Sequence, residues 1–227
     1  MERDHPSPIL KTEILELLKK EDSMCKIKSP KIFNGEITQL SGSGFFLELN
    51  DKSIPFSKCL MACNHLLSEN DIEIGKEINL EYLSKKKILK ITKNRRVFTS
   101  RELDYTLIEI LPEDKLKNFF QVDMNPIDYY KGRDIFLLQY PQENELGYSC
   151  GKILKTKDKW ILHNCSTNYG SAGGPLILRS KELSVIGIHF GKRPKYRIST
   201  SIQSIINDIK NKSVIFKLII IKKNIKI

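Results

Sequence analysis

Tyr169-Gly170-Ser171-Ala172-Gly173-Gly174-Pro175, followed ten residues later by Val185-Ile186-Gly187-Ile188-His189-Phe190-Gly191, is the stretch that decides how this chain folds. Clustered glycines permit tight turns and let backbone approach a ligand closely. A glycine-rich loop between two apolar strands can point N–H groups at an anion or at a developing oxyanion. Two upstream segments belong with it. Ala62-Cys63-Asn64-His65 ends an apolar run with a histidine, and Leu103-Asp104-Tyr105-Thr106-Leu107-Ile108 opens one with an acid.

The surrounding sequence has the same texture. From residue 26 onward, short apolar or alternating runs are separated by turn residues, as in Gly44-Phe45-Phe46-Leu47-Glu48-Leu49 before Asn50-Asp51. Many short strands with frequent turns predict an all-β barrel or sandwich. Residues 8–20 carry Ile9, Ile14, Leu17 and Leu18 at helical spacing behind Pro8, which predicts a short docking helix. Residues 201–210 read as a closing helix. Val214-Ile215-Phe216-Lys217-Leu218-Ile219-Ile220-Ile221-Lys222-Lys223 reads as β-prone and basic, a strand or a frayed tail, and its apolar run is too short to anchor in a membrane.

The 227 residues suit one large domain or two small lobes, and 40% hydrophobic with 29% charged residues is ordinary globular composition. No run approaches the ~18 apolar residues of a membrane span. The charged N-terminus lacks a secretory core, so an intracellular, cytoplasmic location is expected. The odd number of cysteines (Cys25, Cys59, Cys63, Cys150 and Cys165) then reads as free thiols. Cys59 and Cys63 have no second pair, and no HExxH occurs, so neither a metal nor a cofactor is expected. The net charge of +11 is mostly Lys scattered among Ile and Asn. Lys85-Lys86-Lys87, Lys90, Lys93, Arg95 and Arg96 form a basic cluster, read here as a solvated strand face rather than a nucleic-acid surface.

Taken together, the motifs resemble the chymotrypsin-like (trypsin-like) serine peptidase family, whose catalytic residues run His, Asp, Ser along the chain. Ser43-Gly44-Phe45-Phe46 matches the family's strand before the histidine, and Cys63-Asn64-His65 its histidine turn. Asp104-Tyr105-Thr106-Leu107 matches its aspartate strand, and residues 170–175 its nucleophile loop at all but one position. The resemblance implies an all-β fold of two six-stranded antiparallel barrels with short N- and C-terminal helices. It divides the chain into a helical extension (1–25), a first barrel with His65 and Asp104 (26–115), a second barrel with the glycine loop (116–205), and a C-terminal helix and basic tail (206–227).

It also implies roles. His65 would be the general base and Asp104 its orienting partner. The N–H groups of Gly170 and Ala172 would form the oxyanion hole. The position of the nucleophile is Ala172, which has no group to add to a carbonyl, and Ser171 beside it should point elsewhere. The resemblance therefore implies a serine endopeptidase inactive as written. Ala172 is either an engineered substitution or the native residue of a pseudoprotease that binds peptides or regulates.

Thr167 and His189 resemble the primary pocket of glutamyl endopeptidases and of picornaviral cysteine proteases, which implies Glu or Gln before the scissile bond. Phe190 follows His189 in the same strand, and Ser166 supplies no acid for a Lys or Arg substrate. Ser171 cannot pair with a cleaved N-terminus, so the chain resembles the intracellular, glutamyl-endopeptidase-like or HtrA-like branch. The partner implied is a protein or peptide substrate. A Cys165–His163 nucleophile pair is a weaker alternative without family context.

Overall fold

The short apolar runs become fourteen strands among the residues described by the computed structural model, which are 7–33, 35–82 and 85–224, with side chains to residue 213 except at 32, 33 and 143. The first lobe contains β1 (Met24–Phe33), β2 (Glu36–Glu48), β3 (Lys58–Ala62), β4 (Glu77–Tyr82), β5 (Lys85–Lys90), β6 (Val97–Ser100), β7 (Tyr105–Glu109) and β8 (Phe120–Gln121). Its hydrogen-bonded order is β5-β4-β1-β2-β3-β7-β6, and β8 adds parallel to β2. The second lobe contains β9 (Asp134–Gln139), β10 (Gly147–Lys157), β11 (Trp160–His163), β12 (Pro175–Leu178), β13 (Val185–Arg193) and β14 (Tyr196–Ser201). These close into a barrel in the order β10-β11-β14-β13-β12-β9.

The architecture is that of two β lobes, with one departure from two equal barrels. The second lobe closes with six strands, whereas the first is a half-barrel whose edges are β5 and β6. The edge strand β5 carries Lys85, Lys86, Lys87 and Lys90, and such charge keeps an edge from pairing further. Much of the basic cluster is spent internally. Arg95 pairs with Asp114 in the interior at 2.7 Å, Arg96 with Glu109 at 3.2 Å, and Lys90 with Glu77 at 3.3 Å.

Between the lobes, β8 pairs with β2 and the next residue, Val122, bridges to Val185 of β13. This short connection is hydrogen-bonded to both lobes. Phe45, Phe46, Leu60 and Met61 of the first lobe are fully buried in one cluster with Phe136, Leu138, Val185 and Ile188 of the second. Removing that much apolar surface from water at the seam fixes the lobes against each other.

Two helices bracket the strands. α1 (Lys11–Leu18) buries Leu17 and is fastened by Arg179, whose guanidinium reaches Glu13 at 2.6 Å and the carbonyl oxygens of Ser7 and Pro8. α2 (Ile202–Asn224) buries Ile202, Ile205, Ile206 and Ile209 at three- and four-residue spacing. It also reaches the first lobe, where Tyr105 donates its hydroxyl proton to Asp208 at 2.6 Å and Lys212 donates to the Thr99 carbonyl at 2.7 Å. The stretch from Val214 onward is therefore not a strand. Its backbone continues the helix to Asn224, because a helix nucleated by four buried isoleucines propagates at small cost per residue even through β-branched positions. Among the described residues, no helix is long and apolar enough to cross a membrane.

Candidate active site

His65 and Asp104 meet at the rim of the first lobe. His65 lies in the turn after β3, where the N–H groups of Leu66 and Leu67 both donate to the Cys63 carbonyl. Asp104 precedes β7 at φ +48°, a left-handed conformation that Asp tolerates better than most side chains. One carboxylate oxygen accepts from the His65 backbone N–H at 2.9 Å, and the other lies 2.7 Å from Nδ1. The ring contact orients the imidazole with a proton on Nδ1 toward the carboxylate, and the backbone contact ties the histidine turn to the same acid. The His65 side chain is about half exposed (49%) and faces a cleft; the Asp104 side chain is mostly covered.

Across the seam, the glycine-rich loop is held by Ser43 of β2. Its N–H donates to the Ala172 carbonyl at 2.8 Å, and its hydroxyl donates to the Gly170 carbonyl at 2.8 Å while accepting from the Tyr140 N–H. Gly173 has φ +89°, and a Cβ there would overlap the Ser43 carbonyl oxygen, so the position demands glycine. The N–H groups of Ser171, Gly173 and Gly174 all have protein acceptors. Those of Gly170 and Ala172 have none among the described residues. The direction of the first is set by its own peptide. The Tyr169 carbonyl accepts from Gln142 at 2.6 Å, and in a trans peptide the next N–H points the opposite way. Likewise the Ser171 carbonyl accepts from Gly174 at 3.1 Å, which turns the Ala172 N–H away from it. Both N–H groups are thus turned away from the carbonyls that anchor their own peptides. Ser171 itself is buried, and its hydroxyl oxygen accepts from the Asn168 N–H at 2.8 Å, so it is turned inward and does not replace a nucleophile at position 172.

The loop and the histidine turn share an anchor. The His189 carbonyl accepts from the Gly173 N–H at 2.8 Å and from the Cys63 thiol at 3.4 Å. Close to it stand the residues expected to form the primary pocket. His189 is buried, its Nδ1 has no protein partner, and burial together with the nearby Arg197 charge pushes its pKa down to about 4. Thr167 accepts at its hydroxyl oxygen from Arg197 Nε at 2.7 Å. Ser166 is exposed and holds its place through its backbone, accepting from Gln139 and donating to Ser149. Phe190 turns toward the cleft and packs on Trp160, with ring centroids 5.2 Å apart.

Three contributors escape a linear reading. His163 is fully buried, packs edge-on against His189 at 5.4 Å and contacts Ser199 at 3.1 Å. Burial first and His189 second hold it well below the usual histidine range. Arg197 and Trp160 reach the site from β14 and β11; β14 lies between β11 and β13, in a register with each that no local motif announces. The Cys165–His163 pair is a different matter. Cys165 is buried, burial pushes its thiol far up, and its backbone N–H, not its sulfur, meets the His163 ring at 3.3 Å. A thiol so placed is a poor nucleophile.

The cleft between the lobes has a volume of about 850 Å³. His65 and Asp104 stand on one side, and Trp160, Leu162, Phe190 and Ile198, with the cations Lys155, Lys157 and Arg193, stand on the other. One group of metal-type ligands occurs among the described residues, Cys63, His65 and Asp104, with donor atoms within 4.8 Å of one another. His65 and Asp104 spend those atoms on each other, and burial and the Asp104 charge push the Cys63 thiol up, so the group does not suit a cation. All five cysteines are free.

Known proteins carry the same arrangement of lobes. The inactive form of the Rv3671c protease is 17% identical, with 89% of this chain and 94% of that chain covered and a TM-score of 0.62. The active form from M. tuberculosis is 15% identical over 91% and 89%, at a TM-score of 0.64. The serine endoprotease from Yersinia pestis is 12% identical over 92% of this chain and 68% of that one, at 0.62. At such identities the likeness concerns the fold. No curated protein matches by sequence. Residues 42–188, well over half of the chain, match the trypsin-like peptidase domain, and the matched segment contains His65, Asp104 and the whole glycine loop. The chain with this His–Asp pair and this loop therefore belongs to the trypsin-like peptidase family.

Proposed function

We propose that this protein holds a peptide across the cleft as a serine endopeptidase does, seats Glu or Gln in the Thr167–His189 pocket, and fails to cut it because Ala172 lacks a hydroxyl. The observation that carries the reading is the pair of N–H groups at Gly170 and Ala172, without acceptors among the described residues, on a loop tied through Gly173 to the same His189 carbonyl that anchors the turn of His65 through Cys63. Such donors act on the charge that develops on a carbonyl oxygen, and preorganisation is what makes them effective. With a hydroxyl at position 172, the oxygen would add to the scissile carbonyl. His65 Nε2 would take the proton and return it to the leaving amine, while Asp104 would stabilise the imidazolium. Without it, only binding and oxyanion stabilisation remain.

Assembly of the loop through neutral bonds, Ser171 to Asn168 and Ser43 to Gly170, supports a branch in which no cleaved N-terminus is needed to order the site. A second reading, a native pseudoprotease that binds peptides or regulates, uses the same cleft and differs in one atom. The test is hydrolysis of peptides varied among Glu, Gln, Asp, Lys and Phe before the cleaved bond, by the chain as it stands and by Ala172→Ser. Cleavage after Glu or Gln by the Ala172→Ser variant alone is expected. If neither form cuts, the endopeptidase reading fails and the binding module takes its place.

A further inference from the structure

We infer that Arg197 supplies the counter-charge of the pocket, so that the side chain accepted there is the carboxylate of Glu and not the amide of Gln. This rests on the pocket reading above and decides between its two substrates. Arg197 sits on β14 directly opposite His163 of β11 and opposite Lys192 of β13. That register puts its guanidinium beside Thr167, 30 positions away in sequence, with Nε donating to Oγ1 at 2.7 Å. Its positive charge is also felt by both buried imidazoles, His189 and His163.

Three features of this arrangement fit a carboxylate. Arg197 is half-buried, yet among the described residues it has no carboxylate partner, and Nε is the only one of its nitrogens with a protein acceptor. A partly desolvated charge without a counter-ion is costly, and a ligand anion removes that cost. The guanidinium has five N–H donors in a planar fork, so the Nη groups remain for a two-point contact with carboxylate oxygens. Thr167 Oγ1 accepts from Arg197, which leaves its own proton to be donated. The pocket then presents donors from Arg197 and Thr167 together. Both oxygens of a carboxylate can accept from them, whereas the NH₂ of an amide brings donor against donor. His189 is neutral near pH 7 and supplies no fixed charge of its own, so Arg197 is what separates Glu from Gln.

The test is binding to the chain as it stands, in which Ala172 keeps the peptides intact. Labelled peptides blocked at both ends, identical except for Glu, Gln or Lys before the scissile position, are titrated by fluorescence anisotropy at low and high salt. Glu is expected to bind about 10- to 100-fold more tightly than Gln, the range for a charge-assisted pair. Arg197→Gln should bring the affinity for the Glu peptide down to that for the Gln peptide, so that the preference between them is lost. Arg197→Lys should keep part of the preference, since it retains the charge but not the fork.

If Gln binds as well as Glu while both exceed Lys, or if Arg197→Gln leaves the preference intact, the role of Arg197 is refuted and the pocket stands. If Glu, Gln and Lys bind alike, or none binds, the pocket reading falls and this inference with it. Should Arg197→Gln fail to fold, Arg197→Lys and the salt dependence decide: an unchanged preference, or equal salt sensitivity of the Glu and Gln peptides, refutes the inference.

Discussion

Exchanging His189 for glutamine is expected to flatten the acid limb of the stability curve. His189 is 3% exposed, and burial, then the Arg197 charge, hold its pKa at about 4. In the unfolded chain the same imidazole titrates at about 6.5. Between those values the unfolded chain binds a proton that the folded chain refuses. Stability therefore rises with pH across the window and is level above it. Integrated from about pH 4.5 to about pH 6.5, this one side chain contributes about 2 kcal/mol. The assay is urea unfolding of the chain and of His189→Gln across that range. Taking the difference between the two curves cancels the carboxylates that titrate nearby. The gap is expected to move by about 2 kcal/mol in the variant's favour as pH falls through the window. His163, held low by the same burial, adds an effect of the same sign that stays in both proteins. Parallel curves would refute the neutral buried imidazole, and with it the claim that the fixed charge of the pocket belongs to Arg197.

The remaining expectations concern the frame of the site. Gly173→Ala forces a Cβ into the Ser43 carbonyl at a positive φ, and should cost about 3 kcal/mol in thermal or urea unfolding; an unchanged melting temperature contradicts that geometry. Ile209→Ala, a fully buried position on α2, should cost about 2–5 kcal/mol, and a loss under about 1 kcal/mol would mean that α2 does not close the core. Arg179→Ala removes the clamp on Glu13 and on the Ser7 and Pro8 carbonyls, so the segment before Met24 should be nicked sooner in limited proteolysis, at a stability cost of about 1–3 kcal/mol. In the chain carrying Ala172→Ser, Asp104→Asn should lower kcat/KM about 10⁴-fold and leave peptide affinity in place, because it alters the His65 tautomer and not the pocket.

Much of the site is legible in one dimension because its constraints are local. A glycine is required where φ is +89° and a side chain would strike Ser43, and the sequence carries Gly173 there. The orientation of the Gly170 N–H was not legible, since it depends on the Gln142 N–H donating to the Tyr169 carbonyl from another loop. The same holds for Arg197, His163 and Trp160. Each sits in a strand whose alternation marks a face but not a neighbour, and neighbours are set by register across the whole barrel. The carboxy-terminal segment misled for a related reason. Its β-branched residues favour a strand locally, and the buried helix that precedes it overrides that preference.

The sequence by itself determined the chemistry on offer: the order of histidine, acid and glycine loop, and the absence of a hydroxyl at Ala172. These are statements about which atoms exist and which turns a backbone can make. Tertiary structure alone decided that the first lobe stays a half-barrel with a lysine-rich edge, and that Arg197 stands against Thr167 beside two neutral imidazoles. Closure and cross-strand contact are properties of the assembled sheet, where the partner of each residue is fixed by every pairing around it.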